Sequence, residues 1–88
     1  MLKIKDNVNL KELEKYGFVK LENDLRKHKY SWKRLFGDGC YYELYVNREN
    51  HLNIYLQLNN YEYIRIPGKL QSKIFDLIKD GLVEKVDN

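Results

Sequence analysis

Cys40, His28 and His51 are the side chains best suited to nucleophilic or metal chemistry, and their surroundings argue against most of it. His28 sits among cations and His51 beside a turn. Neither has a cysteine, histidine or carboxylate at a metal-ligand spacing, so no zinc site is expected. Cys40 follows Gly39 and falls on the apolar parity of its strand, which predicts a buried structural thiol. A Cys40–His pair for nucleophilic catalysis finds no group in the pattern to orient it. The turn "GDG" at 37–39 lacks the lysine and the following helix of a phosphate-binding loop. Asp24, Asp38 and Glu43 can meet in space, but single carboxylates so placed are ordinarily surface charges. The expectation is a chain with no catalytic residues, no metal and no cofactor.

Two other groupings stand out. Residues 26–34, "RKHKYSWKR", hold Arg26, Lys27, Lys29, Lys33 and Arg34 without one acid. The flanking residues cancel or run slightly acidic, so this stretch supplies the whole formal charge of +3. Its functional reading is contact with nucleic acid or another anionic partner. Its plain reading is solvation, or lysines guarding an edge against strand pairing. Trp32, inside it, is expected in the core. The second grouping is the tyrosines. "CYYELYV" and "HLNIYLQLNNYEYIRI" alternate, with Tyr41, Tyr45, Tyr55, Tyr61, Tyr63 and Arg65 on the parity opposite the leucines and isoleucines. Glu43, Asn53 and Gln57 lie among them. Tyrosine pairs well across strands while its hydroxyl stays wet. Tyrosine and arginine also anchor binding surfaces, and a one-sided tyrosine cluster suits base stacking. Tyr45, Tyr55, Tyr61, Tyr63 and Arg65 are the candidate partner-binding residues.

The elements that must position these groups are legible in part. "NVNLKELEKYGF" reads as a short helix, with Asn9 as N-cap, Glu12 completing a capping box and Val8 with Leu13 as a hydrophobic staple. Gly17 ends it, and Leu10, Leu13 and Tyr16 form its apolar face. "FVKLEN" predicts a short strand, "DLRKHK" a loop, "YSWKRLF" a strand and "NREN" a turn. An odd-length loop after residue 58 pairs Leu56 with Ile64 and Ile54 with Ile66, because a slip of one residue flips every side chain. "PGKLQSKIFDLIKDG" predicts an amphipathic helix with Leu70, Ile74, Leu77 and Ile78 inward. Gly81 and Leu82 suit a Schellman ending. "LVEKV" is a short last strand or an extended tail. The expected fold is α+β: a short N-terminal helix, an antiparallel sheet of about four strands, and a C-terminal amphipathic helix packed on one face.

Eighty-eight residues form one domain, residues 1–88. No apolar run approaches the roughly 20 residues that span a bilayer, and "MLKIKDNVNL" lacks the apolar region of a signal peptide. One cysteine cannot make an internal disulfide. A cytoplasmic protein is expected, monomeric or homodimeric through its aromatic face.

The two ends, "MLKIKDNVNLKELEKYGF" and "FDLIKDGLVEKV", resemble small phage and prophage proteins of low-GC Gram-positive bacteria. The resemblance covers about a third of the chain and its motifs are caps and turns, which carry fold. It implies a bacterial host cell and a non-enzymatic, anti-CRISPR-like role. Such a protein would inhibit or retune a bacterial host protein, CRISPR effectors and other defence nucleases included. The alternative is a nucleic-acid-binding module using residues 26–34 and the tyrosines.

Overall fold

The computed structural model describes residues 1–37, 39–57 and 68–86, with backbone only for 36 and 37. Strand β1 (Leu2–Ile4) leads to a 3-10 helix (Leu10–Tyr16), then β2 (Val19–Lys20), β3 (Tyr30–Gly37), β4 (Cys40–Val46), β5 (His51–Gln57), helix α1 (Gly68–Lys79) and β6 (Val83–Lys85). The strands form one six-stranded sheet in the order β2-β3-β4-β5-β1-β6. Every pairing is antiparallel.

The α+β class is as expected, but the count of about four strands is too low. The strand missing from the sequence reading is β1. It enters between β5 and β6: Ile4 N–H donates to the Asn50 carbonyl at 2.8 Å and Lys5 N–H to that of Leu82 at 2.9 Å. Three residues, two of them apolar, are too short an alternation to register as a strand. Its partners lie far along the chain, Leu2 pairing with Leu52 on one side and Lys85 on the other. The last strand does form, as β6 against β1.

The N-terminal helix keeps the expected place and cap but winds more tightly. Asn9 Oδ1 accepts from Lys11 N–H at 3.0 Å, and Gly17 takes φ 90°. Leu10, Leu13 and Tyr16 recur at every third residue, and a 3-10 helix stacks such a series in one line toward the core. Leu13 is fully buried and the other two pack against the core. The capping box does not close, because the Glu12 carboxylate pairs with Lys15 at 2.9 Å. At the end of α1, Leu82 N–H donates to the Leu77 carbonyl at 3.0 Å and Gly81 N–H to that of Ile78 at 3.1 Å. That pair of bonds is the Schellman motif. Leu70 and Leu77 are fully buried and Ile74 packs beside them, whereas Ile78 is half exposed, a correction to the expected inward set.

Both helices contribute to one core with a single face of the sheet. Tyr30, Trp32, Tyr42, Leu44, Val46 and Leu52 are buried with Leu13, Leu70 and Leu77. The register pairs Leu44 with Trp32 on one side and with Ile54 on the other. By alternation, Ser31, Lys33 and Leu35 of β3, Tyr41, Glu43 and Tyr45 of β4, and Asn53 and Tyr55 of β5 point to the opposite face. The expected strand 61–66, its odd-length loop and Pro67 lie outside the described residues, as does Asp38 in the β3–β4 turn.

Candidate functional site

The face opposite the helices is the candidate site, and it divides in two. One half is covered by residues 21–29, the loop between β2 and β3. This loop is held at both ends: Leu21 N–H donates to the Lys29 carbonyl at 2.9 Å, and Lys29 N–H to that of Val46 at 2.8 Å. Asp24 organises the middle. Its carboxylate accepts from His28 N–H at 3.0 Å and its carbonyl accepts from Lys27 N–H at 3.0 Å. Asn23 and Lys27 take left-handed φ of 58° and 64°, which non-glycine residues adopt at some cost.

Folded this way, the loop lays two side chains on the sheet. The His28 ring stacks on Tyr45 with centroids 4.0 Å apart and planes within 16°. Arg26 reaches Glu43 at 3.4 Å and Asp24 at 3.6 Å, with its guanidinium 5.8 Å from the Tyr45 ring centre. Beneath them Glu43 is buried at 5 % exposure, and Ser31 Oγ donates to its Oε2 at 2.5 Å. A carboxylate in that position needs charge-assisted partners, and Arg26 and Ser31 supply them. The hydrogen bond from the His28 amide holds Asp24 below the ordinary carboxylate value, against its partial burial, with Arg26 adding to the effect. Burial pulls on Arg26 in the direction of neutrality, but Glu43 and Asp24 outweigh it and raise its pKa.

The other half is not covered by the loop. Lys33 Nζ lies 4.1 Å from the Tyr41 ring centre, and Tyr41 meets Tyr55 at 5.8 Å, tilted by 40°. The Tyr55 hydroxyl donates to Gln57 Oε1 at 2.9 Å. Leu35, opposite Tyr41 in the register, is 76 % exposed, and Tyr55 is 41 % exposed. Here the sheet presents an aliphatic side chain, two aromatic rings and a cation side by side.

Of the expected partner-binding residues, Tyr55 is on the exposed half, Tyr45 is under His28, and Tyr61, Tyr63 and Arg65 lie outside the described residues. The five cations of 26–34 do not share a face. Arg26 and Lys33 are on the open side. Lys27 is exposed in the loop, and Lys29 donates to Asn50 Oδ1 at 2.7 Å. Arg34 lies on the helix side, 4.8 Å from the Trp32 ring, with Lys73 at 5.1 Å from the same indole. Trp32 is in the core as expected, and its buried Nε1 has no hydrogen-bond partner among the described residues. Gly17 passes so close that an added Cβ would come within 3.3 Å of that nitrogen. Cys40 is half-buried, which corrects the expected buried thiol.

Sequence reasoning missed Ser31, Glu43 and His28 as one unit. Asp24 and Glu43 do meet, through Arg26. The available signal was a lone carboxylate between two outward tyrosines, in a chain whose cations are concentrated in the acid-free stretch 26–34 that precedes that strand. Tyr16 links the two helices' ends instead: its hydroxyl donates to Asp80 at 2.6 Å, a bond that chiefly pushes its pKa up to about 12.

Among the described residues no three of His, Cys, Asp and Glu converge as a metal site, and no helix is long and apolar enough to cross a membrane. Comparison with protein-family models, curated proteins and solved structures finds no match.

Proposed function

We propose that this chain is a non-enzymatic binding module that docks a partner protein on the exposed half of its open sheet face. The observation that carries this reading is the group formed by Lys33, Leu35, Tyr41 and Tyr55. Rings that already pack on each other lose little freedom on binding, and tyrosine brings both apolar area and a polar tip. The resemblance of the chain's ends to small phage proteins points to the partner class. That class is a bacterial host protein in the cytoplasm, defence nucleases such as CRISPR effectors among them, which the module would inhibit or retune.

A nucleic-acid reading draws on one observation, the Lys33–Tyr41–Tyr55 row, since rings beside a cation suit stacked bases and a phosphate. The division of the basic stretch between two sides of the sheet weakens it, because a backbone-tracking groove needs its cations together.

The test is retention of host-lysate proteins on the immobilised chain after nuclease treatment, comparing wild type with a Tyr41→Ala/Tyr55→Ala variant. The expected result is a host protein held by wild type and lost by the variant. Equal retention by both would remove this face as the site. Retention abolished by nuclease, together with an affinity falling by orders of magnitude between about 50 and 200 mM salt, would move the reading to nucleic acid.

A further inference from the structure

A second concave surface lies at the β2 edge of the sheet, on the side of the helices. It is a cleft of about 620 Å³ between the 3-10 helix, β2, the loop and the start of β3. Small-ligand sites span about 300–1,000 Å³, so the volume is that of a binding site rather than a packing defect. Leu10, Leu21 and Tyr30 give it apolar walls, and Lys11, Lys20 and Lys29 bring three positive charges from three separate segments. Glu14 is the one acid in the lining, and it is engaged by the Tyr30 hydroxyl at 3.1 Å. No carboxylate of a described residue pairs with Lys11, Lys20 or Lys29. Lys29 instead donates to Asn50.

The occupant's backbone is suggested by the sheet. β2 is terminal in the strand order, so one of its edges has no strand partner among the described residues. An extended peptide that adds to such an edge gains main-chain hydrogen bonds and places alternate side chains into adjoining pockets. Lysine on an edge strand discourages basic or neutral strands, and by the same charge it admits an acidic one. Phosphate is the poorer fit. No arginine lines the cleft to supply a bidentate fork, and three lysines from three segments match several spaced carboxylates better than one compact anion.

We infer that this cleft takes an extended acidic segment of a partner protein, seated along β2 with an apolar side chain against Leu10, Leu21 and Tyr30 and its carboxylates toward Lys11, Lys20 and Lys29. The site is distinct from the tyrosine patch and does not depend on it.

The test uses the full chain and a fluorescein-labelled octapeptide of alternating glutamate and leucine, followed by fluorescence anisotropy. Saturable binding below about 1 mM is expected, weakened more than about tenfold by Lys11→Glu/Lys20→Glu. Lys11→Gln/Lys20→Gln gives a milder second variant, and circular dichroism checks that each is folded. The open-face variant Tyr41→Ala/Tyr55→Ala should bind the peptide within about twofold of wild type. This separates failure of the cleft from failure of the tyrosine patch. No saturable binding, wild-type affinity in both lysine variants, or displacement of the peptide by inorganic phosphate at equal concentration would each overturn the inference.

Discussion

The two halves of the open sheet face begin from the same materials and end differently. Each has a tyrosine from β4, a cation from the 26–34 stretch and a polar residue across the strand. On one half, the loop of residues 21–29 folds back, so that Tyr45 lies under His28 and Glu43 is buried at 5 % exposure. On the other, Tyr55 and Leu35 remain 41 % and 76 % exposed. The difference lies in what covers each half. Where chain returns over the face, tyrosine becomes a packing surface and a carboxylate can be held inside by Arg26 and Ser31. Where the loop does not reach, the same residue type stays exposed.

The comparison breaks most readily at Glu43. Glu43→Ala removes the acceptor of both Ser31 and Arg26, and should cost about 1–3 kcal/mol of stability by denaturant unfolding, while Lys33→Ala should cost less than about 0.5. Similar losses for the two would mean that the halves are not distinct. The exposed half is sharpened by binding instead. Tyr41→Ala/Tyr55→Ala should weaken partner affinity at least about tenfold, about 1.4 kcal/mol, and Tyr45→Ala should weaken it only through loosening of the loop. A larger binding loss at Tyr45 would place the working surface on the covered half.

His28→Ala removes the ring stack and should cost about 1 kcal/mol, with faster proteolysis or amide exchange across residues 24–28 and no change at Tyr55. Acid tests the same contacts. Asp24 is held below its ordinary value of 3.8, so the native state binds fewer protons than the unfolded one there. Its contribution is complete above that pH and fades as pH falls through and below it. Protection of the His28 amide, taken relative to its intrinsic exchange rate at each pH, should fall before that of β4 as pH is lowered from about 6 to about 3. Simultaneous loss would show that the loop has no independent opening.

The smallest effect lies far from either half and serves as the control. Tyr16→Phe should cost about 0.5 kcal/mol at neutral pH. The Tyr16 pKa is raised to about 12, so its bond to Asp80 contributes fully below the ordinary tyrosine value of 10.0 and is lost as pH climbs toward 12. Wild type should therefore lose its advantage over the variant in that alkaline window, with the loop signals unchanged.

Much of the local structure was present in the chain's own pattern. Gly17 and Gly81 end their helices in the left-handed conformation, and alternation put Leu44 and Tyr45 on opposite faces. Even the 3-10 winding is latent in the three-residue spacing of Leu10, Leu13 and Tyr16, although that spacing by itself predicts only a short helix. These features depend on neighbours within a few residues, where sequence order and spatial order coincide. The insertion of β1 between β5 and β6 depends on Leu2 meeting both Leu52 and Lys85. The division of the tyrosine face depends on Arg26 reaching Glu43, 17 residues away, and on His28 reaching Tyr45. By itself, the sequence determined which side chains of β4 and β5 share a strand face and where the two helices stop, since steric and hydrogen-bonding preferences act over one or two turns. Only the tertiary structure decided which part of that face is covered and which cations stay together. A loop's path is set by contacts that form once distant segments have been brought side by side.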